Sequence, residues 1–231
     1  MSGELGYFIK IMGLFFCIKG GIIVNKIITI SREFGSGGKE IGKRLADKLG
    51  YAYYDSEIIT LLAKETGMSE EYIKNISEKG IYPYAFQFAK SFTIYSTMQN
   101  SQVEILVKQA DILKKIAQEG NAIIVGRGAN SILKDYDPMN IFVYADMESK
   151  INRCKEKAKE DEKLTDKELE NKIKSIDKNR KAFNNLISNT EWGSKENYNL
   201  CINTSNIEIK TIIPALAEYI ENWFGENRNG N

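Results

Sequence analysis

The sequence predicts an α/β fold, a doubly wound and mostly parallel five-stranded sheet with helices on both faces. Short β-branched runs alternate with segments of helical periodicity along most of the chain. The first such run breaks at a glycine cluster that opens a helix, and 42% hydrophobic content is enough for an ordinary core. At 231 residues the chain suits one domain, or one domain plus a lid.

In chain order, Lys26–Ser31 reads as a buried strand and Gly38–Leu49 as a helix with Ile41, Leu45 and Leu49 on one face. Tyr51–Tyr54 is a second short strand, followed by helices over Ser56–Lys64 and Ser69–Glu78, with Ser69 as a cap. Ser101–Glu119 is helical and stops at Gly120. Strands follow at Ala122–Val125 and Ile141–Tyr144, then a charged helix from Met147 to about Glu160 that runs on through a polar stretch to Ile187. Leu200–Ile202 is the last strand. Ile207–Phe224 is the last helix, which Pro214 either kinks or starts.

Composition narrows the chemistry. There is no histidine, which excludes Ser-His-Asp and Cys-His catalysis, His-ligated metals and a histidine base. Cys17, Cys154 and Cys201 are odd in number and far apart, which points to free thiols in a reducing cytoplasmic compartment and against a zinc site. A net charge of +1 gives no support to a nucleic-acid partner or a membrane surface. Phosphoryl transfer suits the remaining groups, because it runs on positioning and charge neutralisation. Only six basic residues are arginine, so each invites the question of whether a planar fork is needed.

Residues 1–25 form an apolar leader outside the expected core. Lys10 and Lys19 interrupt it, and its longest clean run, Ile11–Ile18, is too short to span a bilayer. A weak anchor is the rival reading. The domain is expected over 26–226.

The segment Ser31-Arg-Glu-Phe-Gly-Ser-Gly-Gly-Lys39 sits between strand and helix, where backbone amides and a helix N-terminus can cradle phosphate. It departs from GxxxxGK[ST] in either register. Counting back from Gly38-Lys39 puts Glu33 at the first glycine. Taking Gly37 as the second glycine puts Arg32 at the first and Gly38 at the lysine. Neither supplies the hydroxyl that would hold Mg²⁺. The competing reading is a plain Gly-rich turn with Lys39 in solvent.

The run IITISREFGSGGKEIGKRLADKLGYAYYDSEII resembles the opening of the cytidylate kinase-like family, divergent relatives of bacterial cytidylate kinase, and the likeness continues to about Phe224. Asp55-Ser56-Glu57 matches two positions of the family's Asp-Ser-Gly, whose serine contacts the base; either residue can alternatively cap the next helix. Val125-Gly-Arg-Gly128 stands for Asp-Gly-Arg-Asp and keeps the phosphate-gripping arginine as Arg127, without the flanking aspartates; a structural ion pair is its other reading. Arg153 matches the lid-hinge arginine. IDKNRKAF matches the second half of the lid motif through Asp177 and Arg180, which in isolation also reads as an (i, i+3) surface pair.

The resemblance implies the fold of P-loop nucleoside-monophosphate kinases, with an acceptor-binding insert at about 55–119 and a lid at about 155–180. It implies ATP as donor, Mg²⁺ held by phosphates and water, and a nucleotide or other small phosphorylated acceptor. Arg32, Gly35, Ser36, Gly37, Gly38 and Lys39 would hold the donor phosphates, and Lys39, Arg153 and Arg180 would act on the transferring group. Asp55, Ser56, Arg127 and Asp177 would hold the acceptor, with no protein metal site. The lost aspartates, and Leu61 where the family has arginine, set cytidine recognition aside as one option among several. Tyr82, Tyr84, Phe86, Phe88, Phe92 and Tyr95 read as a core or homodimer surface, or as stacking groups. The rival functions are a nucleotide-binding regulator without catalysis and an interaction module with a relic phosphate loop.

Overall fold

A computed structural model describes residues 25–79, 92–158 and 164–226. Five parallel strands carry the fold: β1 (Ile27–Arg32), β2 (Ala52–Tyr54), β3 (Ala122–Val125), β4 (Met139–Tyr144) and β5 (Leu200–Asn203). Their order is β2-β3-β1-β4-β5. β1 pairs with β3 (Ile30 beside Val125) and with β4 (Ile30 beside Ile141), so its buried run IITIS lies at the centre of the sheet. The chain leaves β1 toward β2 on one side and β4 toward β5 on the other. A crevice therefore opens at the carboxyl ends of β1 and β4, where open α/β sheets bind ligands.

The helices are α1 (Gly38–Leu49), α2 (Glu57–Thr66), α3 (Glu70–Lys79), α4 (Phe92–Glu119), α5 (Ala129–Ile132), α6 (Met147–Lys157), α7 (Asp166–Ile187) and α8 (Ile209–Glu226). β1 alternates its side chains between two cores. Ile28 and Ile30 pack with Ile41 and Leu45 of α1 and with Ile213 and Ile220 of α8. Ile27 faces Ile58 and Leu62 of α2 and Leu113 of α4 on the other face. Each fully buried isoleucine contributes about 1.5–3 kcal/mol of transfer free energy, which holds α1 and its preceding loop to the strand end.

The expected order of strands and helices matches the structure, and α1 matches to the residue. Four differences have local causes. α4 begins at Phe92, nine residues before the expected Ser101, because its first turns lack a clear apolar stripe. α5 is a single turn, too short for any periodicity to reveal. The expected continuous helix from Met147 to Ile187 is two helices. α6 ends at Lys157, and α7 starts afresh from a capping box in which Thr165 and Glu168 each bond the other's backbone amide. Pro214 lies inside α8, which starts at Ile209, so it does not mark the first turn.

Ser69 does cap α3, accepting a hydrogen bond from the Tyr72 amide at 3.2 Å. Residues 1–24 of the leader and the aromatics Tyr82, Tyr84, Phe86 and Phe88 lie outside the described residues, as do the side chains of Phe92 and Tyr95, and with them the dimer surface read from this cluster. Asn25 belongs to the domain, donating to the carbonyls of Ala117 and Gln118. Among the described residues no helix is long and apolar enough to cross a membrane.

Candidate functional site

The Gly-rich loop connects Arg32, the last residue of β1, to Gly38, the first of α1. Gly37 is the helix N-cap at φ +81°, whereas Gly38 is already helical, so Gly37 is the glycine whose backbone requires it. That selects the register with Arg32 at the pattern's first glycine, Gly38 at its lysine and Lys39 at its hydroxyl. No side chain caps α1. Its first amides, which have no acceptor within a helix, point to the crevice with the positive end of the helix dipole.

The rest of the loop is tied down. Ser36 is fully buried; its hydroxyl donates to the Glu33 carbonyl at 2.8 Å and its own carbonyl accepts from Thr204 Oγ1 at 2.7 Å. Ser36 thus braces the loop from within. Glu33 accepts Lys150 Nζ at 2.9 Å, and the Phe34 amide donates to Asp177 Oδ1 at 2.7 Å. Burial pushes the Asp177 carboxyl above its ordinary value, against the opposing pull of the Phe34 amide, Arg180 and Lys150. Arg153 donates to carbonyl oxygens of Gly35, Thr204 and Ile207 and to the Thr204 hydroxyl, bolting α6 to the loop and to the turn after β5.

Two clefts flank this loop. The larger, about 970 Å³, runs between the loop, the outer face of α1 and helices α6 and α7. Eight of its lining side chains are cationic and three are carboxylates, a field suited to a polyanion. Cys154 lines it too, with its thiol pushed up by burial and therefore kept neutral. The smaller cleft, about 190 Å³, lies under the end of β3 and is lined by Arg127, Asn130, Phe183, Asn184 and Trp192. Among the described residues no carboxylate lines it. Arg32, Phe34 and Arg180 line both clefts, and Arg180 also donates to the Arg32 carbonyl at 2.9 Å and lies over the Phe34 ring.

Arg127 sits in strained backbone. Gly126, Arg127 and Gly128 have φ of +77°, +60° and +65°, and a non-glycine residue in that region costs on the order of 1–3 kcal/mol. Such strain persists where surrounding structure enforces it. Here the Gln109 amide holds the Arg127 carbonyl at 2.9 Å, while the Arg32 guanidinium packs against Gly126 and Ile187 against Gly128, in space a side chain would fill.

Of the residues expected from sequence, Arg32, Gly35, Gly37, Gly38, Lys39, Arg153 and Arg180 gather around the larger cleft, and Arg127 faces the smaller. Asp55 is buried beside the first group, with Lys39 Nζ at 2.8 Å and Arg32 at 3.5 Å. Ser56 is exposed, lines neither cleft and makes no capping bond. Asp177 lies behind the loop and lines neither cleft. Sequence reading missed Lys150, Phe183, Asn184 and Trp192. Lys150 lies one helical turn from Arg153 on α6, a spacing that could have flagged it; nothing local marks the other three.

Comparison with known proteins fits this geometry. A family model described as the cytidylate kinase-like family matches residues 27–206. The chain belongs to the cytidylate kinase-like family. A curated cytidylate kinase of Saccharolobus islandicus is 23% identical over 195 residues, covering 84% of this chain and 90% of that one. Among solved structures, an uncharacterised protein of Eubacterium ventriosum is 27% identical with TM-score 0.61, covering 85% and 98% of the two chains. A shikimate kinase of Bacteroides thetaiotaomicron shares the fold at TM-score 0.51 and 15% identity, covering 85% and 98%. As a cytidylate kinase-like protein of this fold, the chain is supported as a nucleotide or small-molecule kinase.

Proposed function

We propose that this protein transfers the γ-phosphoryl group of ATP to a small phosphorylated acceptor. The observation that carries the reading is the shared wall of Arg32, Phe34 and Arg180, which brings the large cationic cleft and the small one side by side at two arginines. Phosphoryl transfer needs such a meeting point, with donor and acceptor oxygens in line and the charge on the moving group spread over fixed cations.

In this reading the uncapped amides of α1 bind the donor phosphates, with Lys39, Lys43 and Arg44 along the same face. Arg127 grips the acceptor's phosphate. Arg32 and Arg180 neutralise the transferring group, and their planar forks hold its oxygens in place. Helices α6 and α7 act as the lid, the insert precedes β3, and Arg153 fixes the hinge to the loop. Asp55 sets the direction of Lys39 and Arg32 through its carboxylate. Among the described residues no group of three or more cysteines or carboxylates is placed to hold a metal ion. In this reading Mg²⁺ arrives on the nucleotide's own phosphates and water.

The absence of carboxylates from the small cleft supports an anionic acceptor. Cytidine monophosphate is the first to try because of the family, with other nucleoside and sugar monophosphates beside it. The deciding experiment follows ATP consumption over that panel, with product identified by mass. Turnover of one acceptor far above the ATPase background is expected. ATP binding with no turnover on any acceptor would favour the nucleotide-binding regulator, and no nucleotide binding at all would leave the interaction module.

A further inference from the structure

Lys150 is 6% exposed, a buried lysine at the back of the phosphate-loop face. Its ammonium lies 2.9 Å from Glu33 Oε2 and 3.7 Å from Asp177 Oδ2, so it stands between a loop carboxylate and one on α7. Both carboxylates are themselves engaged with backbone. Glu33 accepts from the Ala145 amide at 3.3 Å, and Asp177 from the Phe34 amide at 2.7 Å. The main chain of Lys150 also shapes the loop: a Cβ on Gly35 would lie 2.9 Å from the Lys150 carbonyl oxygen. Arg180 approaches Asp177 only at 3.7 Å and donates to the Arg32 carbonyl.

Burying an ammonium is costly unless it is paired, and two half-buried carboxylates beside a polyphosphate cleft would repel the ligand. Without Lys150, Glu33 and Asp177 would oppose both each other and an incoming triphosphate. With it, they become struts that hold the Glu33–Gly35 backbone and α7 in one arrangement.

We propose that Lys150 is a positioning residue for the donor half of phosphoryl transfer, joining Glu33 of the phosphate loop to Asp177 of α7 so that the loop is preformed for phosphate. This rests on the reading that the large cleft takes ATP. Lys150 touches no substrate in it; it acts through the two carboxylates.

The test titrates ATP with Mg²⁺ into the full chain by calorimetry, which separates affinity from the fraction of folded sites. Lys150→Met is expected to weaken ATP roughly tenfold at unchanged stoichiometry, while Lys150→Arg, which keeps the charge, stays within about threefold. Lys150→Met with Asp177→Asn should recover a good part of the loss, because one uncompensated carboxylate is gone. If Lys150→Met does not fold, Lys150→Gln replaces it and should show the same roughly tenfold loss of ATP affinity at unchanged stoichiometry. Unchanged affinity in Lys150→Met overturns the proposal, as does lower stoichiometry at unchanged affinity, which marks a packing role alone. An equal loss in Lys150→Arg overturns it too. A parent protein that binds no ATP removes the donor reading itself, a result distinct from any of these.

Discussion

A Cβ placed on Gly38 would lie 2.6 Å from the Cβ of Arg32, so the two residues share one space. This relationship accounts for the irregular pattern of the Gly-rich loop. A phosphate loop of the usual pattern has a glycine at the strand end and a lysine at the helix start. Here the side chain is on the strand and the glycine on the helix, so the cation has crossed the gap.

The exchange makes the two positions interdependent. Gly38→Ala should lower the unfolding free energy by about 1–3 kcal/mol through overpacking against Arg32. Arg32→Gly combined with Gly38→Lys, which restores the glycine and the lysine of the usual pattern, should unfold within about 1 kcal/mol of the parent. Denaturant unfolding measures both, and equal losses in the two variants would refute the pairing.

Arg127 trades backbone strain for its position. Arg127→Gly should relieve the left-handed conformation and raise, or at least not lower, the free energy of unfolding, by up to about 1 kcal/mol. Phosphoryl transfer to the acceptor should fall at least about a hundredfold with the loss of a bidentate phosphate grip. A variant that lost stability and kept activity would show the residue to be structural.

Asp177 makes stability pH-dependent in a defined direction. Burial raises its carboxyl in the folded protein, so the folded state holds this proton more tightly than the unfolded chain. Between the ordinary carboxyl value and the raised one, increasing pH therefore removes stability. Relative to Asp177→Asn, the parent should lose thermal stability as pH rises through that window and stay level above it. A parent that gained stability over the variant in the same window would reverse the sign and exclude burial as the cause.

Arg153 reaches three carbonyls and a hydroxyl with one guanidinium, which a lysine ammonium cannot match. Arg153→Lys should cost about 1–2 kcal/mol in denaturant unfolding at unchanged charge. Full stability in that variant would mean that the bolts between α6, the loop and the turn after β5 carry no weight.

Much of this was legible in the chain itself. The run from Lys26 to Leu49 declares strand, glycine turn and helix, because β-branching, left-handed backbone and a repeating apolar face are written within a few neighbouring residues. The capping box Thr165-x-x-Glu168 was equally local, yet the helical periodicity on either side hid it, and the sequence reading ran one helix through the break between α6 and α7. Arg127 and the loop stood out by residue type at a strand end.

Tertiary structure alone decided the rest. The partners Glu33 and Lys150 are 117 residues apart, and Phe34 and Asp177 are 143 apart. A lysine in a polar helix looks solvated whether or not a sheet edge buries it, and any of many carboxylates could have been its partner. Trp192 became a cleft wall only because the segment after α7 folds back over Phe142, which its ring meets edge-on. Local sequence determined where the Gly-rich loop begins and which elements surround it. Which register the loop adopts, and which distant charges hold it there, followed from packing, where steric exclusion and the cost of an unpaired buried charge select one arrangement.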